Sequence, residues 1–234
     1  MARLIAALVR HGEYHQLPDT PSAHQPFPLN TEGERQARVA AGELGTSISD
    51  NGWVLDPVID SSHMLRAWQT AGIFARELVD VTGKDIGIES HDALAERGVG
   101  CAANLTITQI EAILRDDPRV AEPPPAGWKA DSEYRLPLQG AESLMQAGQR
   151  VAAHLERAMA AMPGDGQDRL KLFVGHGAAF RHAACHMGVL EFDQLRRLSM
   201  YHCQPVLIEY LPDGRWLHAG GDWKVRDTHS AFTD

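Results

Sequence analysis

Residues 4–12 read LIAALVRHG: an apolar run from Leu4 to Val9 that stops on Arg10, His11 and Gly12. The run carries no charge and does not alternate. A strand covered on both faces has this pattern, as in a parallel sheet. The pattern returns near the other end of the chain, where Leu170 to Val174 (LKLFV) runs into Gly175, His176 and Gly177. Two predicted strands thus each end on a His-Gly pair.

Working outward, Pro57 to Asp60 and Ile86 to Glu89 are shorter candidate strands, and helices fill the intervals. One starts at Thr31, with Glu34 three residues on as a capping box, and continues through ERQARVAAGEL. In the next, Met64, Trp68, Ala71, Ala75 and Leu78 recur at spacings of four and three, which predicts an apolar face with Trp68 in the core. Leu144, Gly148, Val151, Leu155, Met159 and Met162 repeat that rhythm behind Glu142 and Ser143, which read as capping residues. A further helix is expected after Gly177. Gln204 to Leu211 then reads as a strand turning through PDGRW into a last short one.

Alternating strands and helices predict an α/β three-layer sandwich, with a mostly parallel central sheet and helices on both faces. We read residues 1–234 as one domain. Gly98 to Gln139 is the exception to the alternation: one helix, Thr106 to Asp116, precedes EPPPAGWKADSEYRLP, whose three prolines exclude a regular helix or central strand. Residues 98–139 are too long for an ordinary connection and predict a lid or substrate-specificity insert.

The chain has 234 residues, 44% of them hydrophobic, enough for a substantial core. Its 31 Asp and Glu against 22 Lys and Arg leave a formal charge of -9, which argues against non-specific binding to nucleic acid or an anionic membrane. Leu4–Val9 is too short for a signal-peptide core or a membrane span. Cys101, Cys185 and Cys203 are odd in number and widely spaced, so a cytoplasmic protein without a disulfide framework is expected. A homodimer is compatible with all of this.

In open α/β sheets ligands bind beyond the carboxyl ends of the strands, which places His11 and His176 at one edge. Each is followed by a glycine that would let backbone approach a ligand closely. A helix opening at Gly177 would aim N–H groups at the same place. Arg10 ends a strand where an unpaired charge is costly, and Arg66 lies in the first turn after Ser61 and Ser62. Two forked guanidiniums, two imidazoles and a helix terminus describe a site for a phosphoryl group. An imidazole is a competent nucleophile at phosphorus, and Glu96 follows a candidate strand where an acid-base is needed. Glu13 and Glu142 are alternatives for that acid, and a structural ion-paired set is the alternative for Arg10 and His11.

LVRHGE (8–13), SSHMLRAWQTA (61–71), LAERGVG (94–100), GAESL (140–144) and VGHGAAFR (174–181) together resemble the histidine phosphatase superfamily, in that family's order. The resemblance implies a metal-free, cofactor-free phosphohistidine mechanism. His11 would be the nucleophile and Arg10 and Arg66 the phosphate clamp. His176 would be a donor to the phosphoryl group, with Gly177 beside it, and Glu96 the general acid. The chain departs from the family's mutase branch at Tyr14, His15, Gln16 and Leu17, at Val99 and at Ala178. A phosphatase acting on a small phosphorylated metabolite is therefore expected, with a phosphoglycerate-mutase-type transferase and an inactive phosphate-binding scaffold as alternatives. Tyr14, Arg97, Lys129 and Arg135 are candidate contacts for the remainder of the substrate. His182, Cys185 and His186 share a helix face, but without a paired metal motif they read as packed or surface side chains, and no metal site is expected.

Overall fold

The computed structural model describes residues 2–21 and 24–226. Strand β1 (Leu4–Arg10) lies inside a sheet, followed by helix α1 (Thr31–Asn51), a two-residue strand β2 (Val54–Leu55), β3 (Val58–Ser62), helix α2 (Leu65–Thr82) and β4 (Gly87–His91). Helix α3 (Ile107–Asp116) belongs to the 98–139 segment. Helix α4 (Leu144–Ala160), β5 (Arg169–Gly175) and helix α5 (Gly177–His186) come next, and short strands β6 (Leu198–Ser199), β7 (Val206–Tyr210), β8 (Trp216–Gly220) and β9 (Lys224–Val225) complete the order.

The main sheet runs β4-β3-β5-β1-β7-β8, with β2 also on β5. β1 through β5 pair in parallel, whereas β7 and β8 add an antiparallel hairpin at one edge. Side chains of a strand alternate between faces, and β1 shows what that demands. Ile5, Ala7 and Val9 pack with Ala37, Leu44, Phe74 and Leu78 of α1 and α2, while Ala6 and Leu8 pack with Val151, Leu155, Phe180 and Ala183 of α4 and α5. Both faces being covered, β1 has no place for a polar side chain until its end. The result is the expected mostly parallel α/β sandwich with helices on both faces.

Four local expectations change. Helix α1 is capped by Asn30, whose Oδ1 accepts from Gly33 N at 2.8 Å; Thr31 is already inside the helix, so the Thr31–Glu34 box does not form. Asn caps at least as well as Thr, because its carbonyl reaches the free N–H groups from an extended backbone. Trp68 is 49% exposed: the buried stripe of α2 runs through Arg66, Ala67, Thr70, Ala71, Phe74 and Leu78, one step round from the apolar rhythm. Ser143 caps α4, but Glu142 instead accepts from Gly98 N and pairs with Arg150. The 98–139 segment carries, besides α3, short 3-10 turns at Gly100–Ala102 and Trp128–Ala130, and gathers its own small core of Val99, Ile110, Leu114, Trp128 and Leu136. Among the described residues no helix is long and apolar enough to cross a membrane.

Candidate active site

The carboxyl ends of β1, β3 and β5 deliver the polar side chains that the strands themselves exclude. His11 N donates to Gly175 O at 3.0 Å, so the two His-Gly pairs stand side by side. Their rings lie 5.1 Å apart edge to face. His11 and His176 are 4% and 1% exposed.

The His11 tautomer follows from its partners. Nδ1 lies 2.8 Å from the Gly12 carbonyl, which can only accept, so Nδ1 carries the proton. Nε2 receives the Arg66 Nε–H at 3.1 Å and therefore holds the lone pair. Burial, reinforced by the Arg66 guanidinium, holds His11 well below the usual imidazole pKa, so it is neutral at pH 7. His176 is held low by the same two causes. Its Nε2 is 3.0 Å from Ser62 Oγ and its Nδ1 3.3 Å from Arg66 Nη2.

Arg66 organises the cluster. Besides the two imidazoles, its Nη1 donates to Gln25 O at 3.0 Å and its guanidinium lies 4.4 Å above the Tyr14 ring. Thr70 one turn on donates to Arg66 O and accepts from Gly12 N, tying the His11 loop to α2. Arg10 donates from Nη1 to Met200 O at 3.0 Å, so a backbone carbonyl contributes to holding the cation that ends β1. From the far side His202 Nδ1–H donates to His11 O at 2.7 Å, and burial lowers its pKa to about 4.

The glycines also serve the packing around the pocket. A Cβ on Gly12 would stand 2.5 Å from Gly33 O, so Gly12 permits the His11 loop to meet the first turn of α1. Gly177 likewise leaves room for the Arg10 side chain, 3.0 Å from where its Cβ would be.

Arg10, His11, Tyr14, Gln16, Arg66, Glu96, Gly177 and Ala178 line one small pocket. Glu96, 8% exposed, is the carboxylate that reaches it. Glu13 accepts from Asn30 at the surface, and Glu142 is taken by Gly98 and Arg150. Glu96 and Ala178 also line a neighbouring cavity of about 330 Å³ whose wall carries Arg97, Lys129, Arg181, Arg196 and Arg226. Arg97 and Lys129 thus stand where the sequence suggested. Arg135 does not: it is exposed and lines neither space, its strand-like neighbour Leu136 having taken the inward position. His182 and His186 are engaged by Ala178 O, Ser132 and Met145 O.

Sequence reading missed Gln25, His202, Arg181, Arg196 and Arg226, and gave Ser62 no part in the site. Ser62 and Arg181 lie inside quoted motifs without having been given a role, whereas Gln25, Arg196, His202 and Arg226 lie in separate segments with no motif of their own, and only the fold brings them to one edge. Cys203 beside them is buried, its thiol pushed up to about 12 by burial, which leaves it unreactive.

The sheet edge gathers two forked cations, two neutral imidazoles, one carboxylate and a helix N-terminus around a small polar pocket in an α/β fold. The chain belongs to the histidine phosphatase superfamily, whose branch 1 family model matches residues 6–222. A curated relative, the mitochondrial serine/threonine-protein phosphatase Pgam5 of Drosophila yakuba, is 27% identical over 209 residues, which are 88% of this chain and 58% of that protein. The chain therefore spans under two thirds of that relative. Among solved structures, "Mycobacterial hydrolase 2" superposes with a TM-score of 0.69 at 21% identity, covering 98% of this chain and 94% of the other. A mycobacterial glucosyl-3-phosphoglycerate phosphatase superposes with 0.63 at 20% identity, covering 96% and 98%. At these identities the structures bear on the fold alone.

Proposed function

We propose that the protein is a phosphatase that hydrolyses a small phosphomonoester through a phosphohistidine on His11. The observation that carries this reading is the tautomer: Nδ1–H on the Gly12 carbonyl leaves the lone pair on Nε2, where it meets Arg66 at the wall of the pocket. Nε2 attacks phosphorus as the ester P–O bond breaks, and protonated Glu96 gives its proton to the leaving oxygen. The Nδ1–H···O=C bond steadies the imidazolium that forms. Arg66 turns its N–H groups from the imidazoles to the phosphoryl oxygens, joined by Arg10, His176 and the α5 N-terminus at Gly177. Glu96, now a carboxylate, takes a proton from water as its oxygen attacks phosphorus, releasing phosphate and restoring His11. The protein's own cations supply the charge stabilisation, so no metal or cofactor enters the cycle.

The substrate class follows from the second cavity. A volume of about 330 Å³ suits a small metabolite, and a wall with Arg97, Lys129, Arg181, Arg196 and Arg226 suits one bearing a second anion, a carboxylate or another phosphate. Tyr14 covers the reacting group, and the 98–139 segment, supplying Arg97 partner Trp128 and Lys129, acts as the specificity lid. We further read it as cytoplasmic, consistent with three free cysteines.

A panel of phosphorylated sugars, nucleotides, glycerates and phosphoserine or phosphothreonine peptides, assayed for phosphate release, tests the class. Dianionic small metabolites should be preferred over peptides; preferred cleavage of phosphopeptides would favour the activity for which Pgam5 is named. Release should withstand chelator, and an acid-labile phosphoenzyme should form in wild type and be lost in His11→Ala. Full turnover by that variant would refute the nucleophile. Transfer of label between the positions of a phosphoglycerate, instead of release, would make the protein a mutase.

A further inference from the structure

On the α4 side of the sheet a second cluster takes no part in the chemistry above. Asp60 from β3, His91 from β4 and His154 from α4 place one ligand atom each within 4.8 Å of one another. We propose that these three side chains form a binding site for a divalent transition metal of the zinc type.

Asp60 and His154 are 4% and 8% exposed, so the pair is built into the core rather than scattered on a surface. The two Asp60 oxygens are divided. Oδ1 receives Lys171 Nζ at 2.9 Å, and Lys171 is itself held by Asp56 Oδ1 and Val58 O. Oδ2 is left for the imidazoles, 2.8 Å from His154 Nε2 and 3.7 Å from His91 Nε2. Ligand atoms about 2.0–2.2 Å from a tetrahedral zinc ion stand roughly 3.3–3.5 Å apart, and these two separations bracket that spacing. With the three ligand atoms within 4.8 Å of one another, side-chain adjustments would make a two-histidine, one-carboxylate set, and imidazole with carboxylate suits zinc-type ions.

Two further observations point the same way. His91 Nε2 is buried and has no hydrogen-bond partner among the described residues, being beyond reach of both Asp60 Oδ2 and Glu89 Oε2, the latter at 3.9 Å. A buried polar atom left so is costly, and an ion bound between it and Asp60 would satisfy it. The cluster also opens on a surface cavity of about 380 Å³ whose lining has three carboxylates, Asp56, Asp60 and Glu89, against two cations, Arg157 and Lys171. That cavity provides an entry path, and Glu89 can complete a fourth position. On binding, His154 takes its other tautomer: the Nε2 proton facing Asp60 passes to solvent as solvent protonates Nδ1, and Nε2 then donates its lone pair to the metal.

The test is a Zn2+ titration of the full chain in competition with a chromophoric chelator. Wild type should bind one ion that His91→Ala weakens at least tenfold, while His11→Ala leaves that ion's affinity unchanged. Unaltered affinity in His91→Ala, or loss in His11→Ala instead, would overturn the proposal. Proton NMR of wild type with added Co2+ gives a check that needs no variant. The His91 and His154 ring protons should be the first to shift and broaden, and selective effects on other histidines would equally refute the site.

Discussion

Arg66 offers the sharpest quantitative test of the site, because its fork of donors and its charge can be separated by Arg66→Lys. The guanidinium donates to His11 Nε2, Gln25 O and His176 Nδ1, and is 1% exposed. An ammonium keeps the charge but cannot address both imidazole-facing positions at once. If those two donors are the ones that pass to phosphoryl oxygens, lysine forfeits one charge-assisted bond, worth about 2–3 kcal/mol, and alanine forfeits two. The lysine variant should then lose roughly 30- to 160-fold in kcat/KM, and alanine about 10³- to 2.5 × 10⁴-fold. The assay is steady-state hydrolysis of a chromogenic phosphate ester, with a thermal melt to establish that each variant is folded. A folded lysine variant within threefold of wild type would refute the reasoning, since charge alone would then account for the role of Arg66.

Two other expectations concern stability. Gly12→Ala sets a Cβ against the Gly33 backbone, which no side-chain rotation can relieve, and overpacking of this kind costs about 1–3 kcal/mol; its melting temperature should fall several degrees while Gly42→Ala, with open space around it, does not. Equal melting of the two variants would show that the contact is dispensable. His11, His176, His182 and His202 are all depressed by burial, the last two to about 3 and about 4 from an ordinary 6.5. The unfolded chain therefore takes up protons that the folded chain refuses, so this stabilisation is complete above pH 6.5 and lost as pH falls toward 4. Melting followed across that range should show a steady decline; a flat or rising profile would contradict the assigned neutrality.

The sequence disclosed the parts of this molecule that obey strict local rules. β1 and β5 were readable because strands covered on both faces exclude charge, and the residues that break the run are those the site uses. Lys171 inside β5 is a charge that no local rule places, and its reason, Asp56 and Asp60 on other elements, is entirely tertiary. Trp68 was misjudged because apolar spacing in α2 competes with buried Arg66 and Thr70, whose burial is dictated by the site rather than by hydropathy. The cationic wall was only partly visible: Arg97 and Arg181 lie in motifs and Lys129 in the long insert, whereas Arg196 and Arg226 come from a 3-10 turn and the stretch after β9.

Glu96 borders both the small pocket and the cationic cavity. In the proposed mechanism one carboxylate thus stands where the bond breaks and where the leaving group is held. Recognition and turnover are consequently not independent dials: a leaving group that sits badly in the larger space also presents its oxygen badly to the acid. Reshaping the cavity for a new substrate should therefore move kcat and KM together, and successful redesign would have to begin with what keeps Glu96 in place, above all Arg150, which clasps the carbonyls of Ala93, Ala95 and Glu96.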